Sequence, residues 1–373
     1  MSDIVITGMA WHTALGHTLS GVWQRLLDGE TGIATLASPH TLKNDRAAAI
    51  VLAERVDTRD TRDTLERLTR QTVAAAAAHA QLDLSHHAAR TVLVVGTSFG
   101  ARLDDALAAA EPLDRWVQEI ADGFGLASVA LSTACSSGSD ALLLGAELIR
   151  AGVADRCICG GADVLADSKR LAHTALGTMS PTTLRSFDRR HDGTILGEGV
   201  GFLVLERGGE RAVPPLAVLR GAGSSNDAAG LTAPDKDGNG IRLAIERSLK
   251  DAGLRHADIG VVNAHGSGTL TNDRIESAAY LTLFGASQPT IFATKGSFGH
   301  TLGATGALEA IALILALQEQ VTPPIYELEE PIEGFTLPMP VARPRSIHAV
   351  YGLSLTIGFG GFNTSLVFEG VGA

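Results

Sequence analysis

The chain has 373 residues, 45 % of them hydrophobic, and its 41 Asp and Glu against 30 Lys and Arg give a formal net charge of −11. That apolar share is ample for a buried core and the length suits two domains or one two-part domain, which excludes disordered and fibrous classes. An acidic chain with aromatics at 5 % offers neither the cationic surface nor the stacking platforms of a nucleic-acid binder.

The first apolar run, 4–6, reads as a strand rather than a secretory leader, because no basic segment precedes a long apolar stretch. Helix-forming composition follows at 21–28 and 65–80, then strand-like runs at 91–95 and 128–131, a helix at 137–150, and strands at 156–159 and 201–205. A further helix is expected at 241–252, stopped by Gly253. Strands alternating with helices predict an α/β fold. A strand, a glycine-containing turn and a helix apolar nearly all round occur twice, at 128–150 and 291–316. Leu142, Leu144, Ala146 and Ile149 mark the first helix and Leu308, Ile311, Leu313 and Ile314 the second, so both are expected to be buried and related by duplication. The stretch 304–318 carries Glu309 and falls short of the ~20 apolar residues that span a bilayer, so no membrane span is expected. The charged, Gly- and Pro-containing segment 207–215 places a boundary between packed halves at 1–208 and 209–373. The glycine clusters 197–201 and 221–223 lack the dinucleotide-binding spacing and read as tight structural turns.

Three cysteines, Cys135, Cys157 and Cys159, form no disulfide framework, and the odd count fits a reducing compartment, the cytoplasm. Cys157 and Cys159 lie in an apolar run and read as buried thiols. Cys135 lies where a strand passes through small residues into a helix. By itself it reads equally as a small buried hydrophobe or as a thiol whose pKa the helix N-terminus lowers. The small-residue turn, which lets a substrate approach the sulfur, favours a nucleophile in need of a partner. His265 and His300 sit in glycine-rich segments and are the partners on offer; the other ten histidines read as surface residues, with His86 and His87 in a polar loop. Cys135, His265 and His300 lack the short local pairs of a zinc site, so no metal is expected.

Together the motifs resemble the elongating β-ketoacyl-[acyl carrier protein] synthases. The likeness rests on Thr133-Ala134-Cys135-Ser136-Ser137-Gly138, on Phe187-Asp188 with Gly197-Glu198-Gly199, and on His265-Gly266-Ser267-Gly268-Thr269 with Asn272, Asp273 and Glu276. It also rests on Lys295 with Gly299-His300 and Gly303-Ala304-Thr305-Gly306, and on Gly358-Phe359-Gly360-Gly361 with Asn363. It extends to the start through Trp23, Leu27-Asp28-Gly29 and Gly32-Ile33. The resemblance implies the thiolase fold: two duplicated α/β halves in a five-layer αβαβα arrangement, usually in a dimer.

It further implies decarboxylative Claisen condensation of an acyl thioester with malonyl-[acyl carrier protein], without cofactor, in fatty acid or, on the chain's departures, specialised polyketide or aryl-polyene synthesis. Cys135 matches the nucleophile, His265 and His300 the histidine pair, and Lys295 the site lysine, expected beside the supporting Glu276 or Glu309. The backbone N–H groups of Cys135 and Phe359 match an oxyanion hole, with the Phe359 side chain as gate, and Ser267 and Thr269 match pantetheine contacts. For docking the acidic carrier protein, Arg67 and Arg70 are the first candidates and Lys169 and Arg170 the second. The chain departs from the pattern in a shortened region between Gly100 and Thr133, in Ser186 for a proline, and in bulky Phe362. The alternatives are a chain-length-determining partner in a ketosynthase heterodimer, and an acyltransferase or thioesterase that uses the same acyl-cysteine.

Overall fold

A computed structural model of the chain describes residues 3–50, 61–99, 104 and 111–371. From the N-terminus, β1 (Ile4–Thr13) leads through α1 (Leu19–Leu27) to a small ribbon of β2 (Ile33–Thr35) and β3 (Arg46–Ala48). Then come α2 (Thr61–His79), β4 (Thr91–Gly96), α3 (Arg115–Asp122), β5 (Ala127–Leu131), α4 (Ser137–Arg150), β6 (Arg156–Asp163), α5 (Asp167–Ala175) and β7 (Gly199–Arg207). The chain continues through β8 (Ala217–Asn226), α6 (Asn239–Ala252), β9 (Ile259–Asn263), α7 (Leu270–Phe284), β10 (Thr290–Phe292) and α8 (Thr305–Glu319). It closes with the short pair β11 (Val321–Thr322) and β12 (Arg345–Ser346) and the hairpin β13 (Tyr351–Gly358) and β14 (Phe362–Gly370).

Outward from the middle, the strands run β1-β7-β6-β4-β5 on one side and β8-β14-β13-β9-β10 on the other. In both, the first strand is innermost, the last lies beside it, and the fourth, second and third follow. The pairing repeats too: β4 runs parallel to β5 and β6, and β9 parallel to β10 and β13, while the inner pairs are antiparallel. A short antiparallel contact of Ile4–Ile6 with 217–219 joins the two sets. Helices α4 and α8 pack on each other between the sheets, α2 and α3 cover one outer face, and α6 and α7 lie on the other side. This is the expected five-layer order.

Period-two alternation assigns the side chains to layers. In β7, Val200, Phe202 and Val204 join the outer core beneath α2, whereas Leu203 and Leu205 join the central core. In β6, Cys157 and Cys159 take the central face and Ile158 the outer one, so both thiols are buried as expected. The stretch Leu302–Glu319 is long and apolar enough to cross a membrane by composition, but it is buried as the central helix.

Two sequence expectations need correction. The glycine clusters are not turns, because Gly199 and Gly201 lie within β7 and Gly221 and Gly223 within β8. A Cβ at Gly223 would stand 2.5 Å from both the Ala244 carbonyl oxygen and the Ser248 nitrogen. Helix α6 rests directly on the strand there. The ten remaining histidines are not all on the surface: His173 and His191 are buried, and His86 and His87 form part of a one-turn helix, Leu84–His87.

Gly223→Ala is expected to destabilise the protein by ~1–3 kcal/mol, the usual cost of overpacking. Denaturant unfolding checks this, with Gly230→Ala as a control at a glycine outside the left-handed region whose added Cβ would meet nothing nearer than 3.9 Å.

Candidate active site

Strand β5 delivers the chain to a tight elbow. Ala134 there takes φ 52°, a value that alanine rarely adopts, and Cys135 follows in a single 3-10 turn before α4. Local hydrogen bonds hold the strained turn. Thr133 donates its N–H to Ser137 Oγ at 3.0 Å and its hydroxyl to Asp140 Oδ2 at 2.5 Å, while Ser137 Oγ donates to the Ala134 carbonyl at 2.6 Å. The second half grips the same turn: Thr364 donates to Asp140 Oδ1 at 2.5 Å, and Ser136 Oγ donates to the Phe362 carbonyl at 2.9 Å.

His300 reaches the thiol from that second half, with Nε2 3.1 Å from Cys135 Sγ and Nδ1 3.2 Å from Thr305 Oγ1. Its backbone is pinned by Ile195, whose carbonyl accepts the His300 N–H at 2.7 Å. His265 stands edge-on to it, ring centroids 5.3 Å apart at 87°. The backbone N–H of Ile357 donates to His265 Nδ1 at 3.2 Å, which leaves the proton of the neutral ring on Nε2 as a free donor.

The supporting charges lie behind the histidines. Glu276 accepts the N–H groups of His265 at 2.7 Å and Gly266 at 2.9 Å, and the Tyr280 hydroxyl at 2.7 Å. Lys295 donates to Glu309 Oε1 at 2.5 Å and to the His265 carbonyl, so of its two expected partners it pairs with Glu309. Ser186, at the position of the expected proline, donates to the Gly266 carbonyl at 2.5 Å and braces the same loop.

Cys135, His265, Ser267, Thr269, His300 and Phe359 all line one cavity of about 320 Å³. Ser267 and Thr269 hydroxyls are 3.0 Å apart on its wall. The backbone N–H groups of Phe359 and of Cys135 itself both face the sulfur. Gly358 makes that approach possible, because a Cβ there would stand 3.0 Å from the Thr133 carbonyl oxygen. The Phe362 ring lies against Gly360 beside the turn. The shortened region is partly outside the described residues; from Glu111 it supplies α3 and β5.

Lys169 and Arg170 are not surface docking residues. Lys169 is buried and donates to Asp163 Oδ1 at 2.6 Å, while the buried Arg170 donates to the carbonyls of Leu36 at 2.9 Å and Asp45 at 3.1 Å. Arg70 is exposed on α2 and Arg67 half-buried, and neither lines the cavity. Sequence reasoning missed Asp163 and His173. Asp163 Oδ2 accepts the N–H of Gly303 at 2.6 Å and of Ser98 at 2.9 Å, and His173 lines the cavity. Asp163 carries no local sequence signal, and His173 sits in an ordinary amphipathic helix.

Burial governs the electrostatics of the site. Burial pushes the Cys135 thiol up to about 11, against the pull of the Phe359 N–H and the Lys295 charge. The lowering expected from the helix terminus is therefore overturned: desolvation of the sulfur dominates, and the resting group is a thiol. Burial first, then Lys295, holds His265 and His300 well below their ordinary value, so both rings are neutral. Burial raises Glu309 to about 8 despite Lys295, and burial with Asp273 raises Glu276 to about 7. A neutral His300 can accept the thiol proton as the sulfur attacks, and a neutral His265 can donate from Nε2 to an oxygen that becomes negative.

The double-sheet fold with this cysteine and histidine cluster defines the class, a thiolase-fold acyltransferase. Residues 1–210 match the family model of the beta-ketoacyl synthase N-terminal domain and residues 216–329 that of the C-terminal domain. A 3-oxoacyl-[acyl-carrier-protein] synthase 2 of Vibrio harveyi is 30 % identical, with 98 % of both chains covered. The structure described as the ishigamide ketosynthase/chain length factor superposes with TM-score 0.90 at 26 % identity over 100 % of both chains. A ketosynthase in complex with its chain length factor from Xenorhabdus doucetiae gives TM-score 0.83 at 27 % identity, covering 99 % of this chain and 98 % of that one. The chain belongs to the β-ketoacyl synthase family.

With the thiol at about 11, its thiolate fraction grows with pH well beyond the range of a free cysteine. Alkylation of Cys135 by iodoacetamide, followed by intact mass, is expected to keep accelerating past the ~8.5 of an unperturbed thiol. A rate that levels off near neutral pH contradicts this.

Proposed function

We propose that the protein catalyses the decarboxylative condensation of an acyl thioester with malonyl-[acyl carrier protein] to give a β-ketoacyl-[acyl carrier protein]. The observation that carries this reading is the convergence of Cys135 Sγ, His300 Nε2 at 3.1 Å and the Nε2–H tautomer of His265 on one cavity. An acyltransferase that stopped at the acyl-enzyme needs a nucleophile and a base; a second imidazole donor fits the enolate of a decarboxylating step. In this reading half 1–208 supplies Cys135 and half 209–373 supplies His265, Lys295, His300 and Phe359.

The Cys135 sulfur attacks the acyl thioester carbonyl while its proton passes by way of His300 to the departing carrier thiol. The N–H groups of Cys135 and Phe359 receive the tetrahedral oxyanion. Malonyl thioester then enters along Ser267 and Thr269, which hydrogen-bond the pantetheine arm, and the C–C bond to its carboxylate breaks to release CO₂. His265 stabilises the enolate oxygen through its Nε2–H. The enolate carbon attacks the acyl-Cys135 carbonyl, the C–S bond breaks, and the sulfur regains a proton from solvent. Lys295, paired with Glu309 and bonded to the His265 carbonyl, orients that histidine and biases the local field. The reaction runs on thiol, imidazoles and substrate thioesters alone.

The partners in this reading are an acyl carrier protein and a second ketosynthase-like subunit, identical or not. The outer strand β5 carries half-exposed Val129, Ala130 and Leu131, a surface that a partner subunit would cover. Similarity to ketosynthases solved with chain length factors supports specialised polyketide synthesis and a heterodimer. Cys135 with both histidines supports the reading of this chain as the catalytic subunit of such a pair. The expected setting is the cytoplasm.

Incubation with acyl-carrier and malonyl-carrier is expected to yield a β-ketoacyl carrier by intact mass spectrometry, and Cys135→Ala to abolish it. Acyl transfer without a β-keto product would sink the condensing reading; activity only with a second subunit would establish the heterodimer. His265→Ala is expected to slow CO₂ release by about 10²–10³, the usual loss of one preorganised donor.

Arg67 and Arg70 are the proposed contacts for the acidic carrier. Reversing both to Glu is expected to raise KM for carrier-bound substrate with little change in kcat, because charges at the rim of an interface act mainly on encounter. Unchanged kinetics would remove them from the docking surface.

A further inference from the structure

Helix α5 leaves the sheet just after Asp163 and sends three side chains back into the protein. Lys169 binds Asp163, whose other oxygen holds the Gly303 N–H at 2.6 Å, so the helix is keyed to the turn that follows His300. Arg170 locks it to the carbonyls of Leu36 and Asp45. One turn beyond Lys169, His173 lines the cavity, with its ring stacked on Phe359, centroids 5.6 Å apart and planes 18° from parallel. Thr178 Oγ1 donates to the His173 carbonyl at 3.2 Å, so the same oxygen accepts from His173 Nδ1–H at 2.9 Å. That bond fixes the ring plane and its tautomer. Burial and the nearby Lys169 charge hold the ring at about 4, and it is neutral near pH 7.

Phe359 sits in a turn with Gly360 at φ +83° and Gly361 at φ +80°. The turn's main chain is tied by the Gly360 N–H to the Leu231 carbonyl at 2.8 Å. Its one large side chain has an aromatic partner in His173. We propose that His173 is a positioning residue whose ring is the platform that holds the Phe359 side chain over the cavity, and that this stack sets which acyl groups reach Cys135. A slim chain passes beside the closed pair, while a bulky or branched acyl group must first lift Phe359 off the imidazole. The site thereby discriminates among acyl thioesters by width near the carbonyl. This inference rests on the condensing reading for its acyl substrates, but the gate itself can be read without them.

The test is alkylation of Cys135 by iodoacetamide at fixed pH in wild-type, His173→Ala, His173→Asn and His173→Phe proteins, with thermal midpoints measured alongside. Asparagine can keep the bond to Thr178 but has no ring; phenylalanine keeps the ring but not the bond. Loss of the stack in Ala and Asn is expected to speed alkylation about threefold to tenfold, the range an aromatic pair contributes. The same two variants are expected to narrow the preference between straight and branched acyl donors, and Phe to restore wild-type values. Equal alkylation of wild type and Ala, or wild-type behaviour in Asn with failure in Phe, overturns the platform. Should Ala not fold, Asn against Phe decides. A wild-type enzyme that forms no β-ketoacyl product would defeat the condensing reading, while the alkylation rates would still judge the gate.

Discussion

The site depends on one packing constraint, that the two central helices begin at the same place. Helix α4 starts at Ser137 and α8 at Thr305, and the glycines at their first turns let the backbones close together: a Cβ at Gly138 would stand 2.9 Å from the Ala307 nitrogen. Cys135 precedes one helix start and His300 the other. Their 3.1 Å contact, across a sequence separation of 165, is thus set by helix packing rather than by any local loop. Because each helix also packs on strands of both halves, the elbow and the imidazole are held by the whole core. A strained φ at Ala134 can persist in such a setting, since the surrounding bonds over-determine it.

This rigidity brings an electrostatic burden. Lys169, Lys295 and the carboxyls of Asp163, Asp273, Glu276 and Glu309 are all buried, where ionised groups are strongly disfavoured. Burial accordingly lifts Glu276 to about 7 and Glu309 to about 8. The protein answers by pairing and by backbone donors: Lys169 with Asp163, Lys295 with Glu309, and Glu276 with two main-chain N–H groups. Pairs of this kind add little net stability against apolar substitutes, but breaking one leaves a charge stranded. What they do provide is orientation. Each anchors a backbone atom of a site residue or its neighbour: Glu276 the N–H of His265, Lys295 its carbonyl, and Asp163 the N–H of Gly303.

Much of this was legible in the sequence. The β-branched runs gave β1, β4, β6 and β7, and the all-round apolar helices announced a buried central layer, because no amphipathic face was left for solvent. The C-terminal hairpin was harder to see: β13 alternates Ser354 and Thr356 with apolar residues and looks like a half-polar strand, yet both hydroxyls are buried. The glycines of β7 and β8 read as turns because sequence cannot show a helix lying on a strand. Cys135, His265, His300, Lys295 and Phe359 were found through their motifs, and the structure brings all five together. Lys169 and Arg170 were misplaced because a charge on a short helix looks solvated; only the fold shows the carboxylate and carbonyls that receive them. The thiol's direction of shift was misjudged for the same reason, since a helix terminus is visible in sequence and desolvation is not.

That last point changes how the chemistry must be organised. A thiol held at about 11 beside neutral imidazoles is quiet at rest. At this site a standing thiolate would be exposed to alkylators and oxidants between turnovers, and a standing imidazolium would be costly to bury. In the proposed reaction both costs are avoided, because charge appears only as the thioester carbonyl enters the reach of the Cys135 and Phe359 N–H groups, where the new oxyanion is compensated as it forms. Formation of the nucleophile is then coupled to substrate position. In that reading the turn that supplies the Phe359 N–H also carries the ring over the cavity, so one short segment both admits the acyl group and completes the site that activates it.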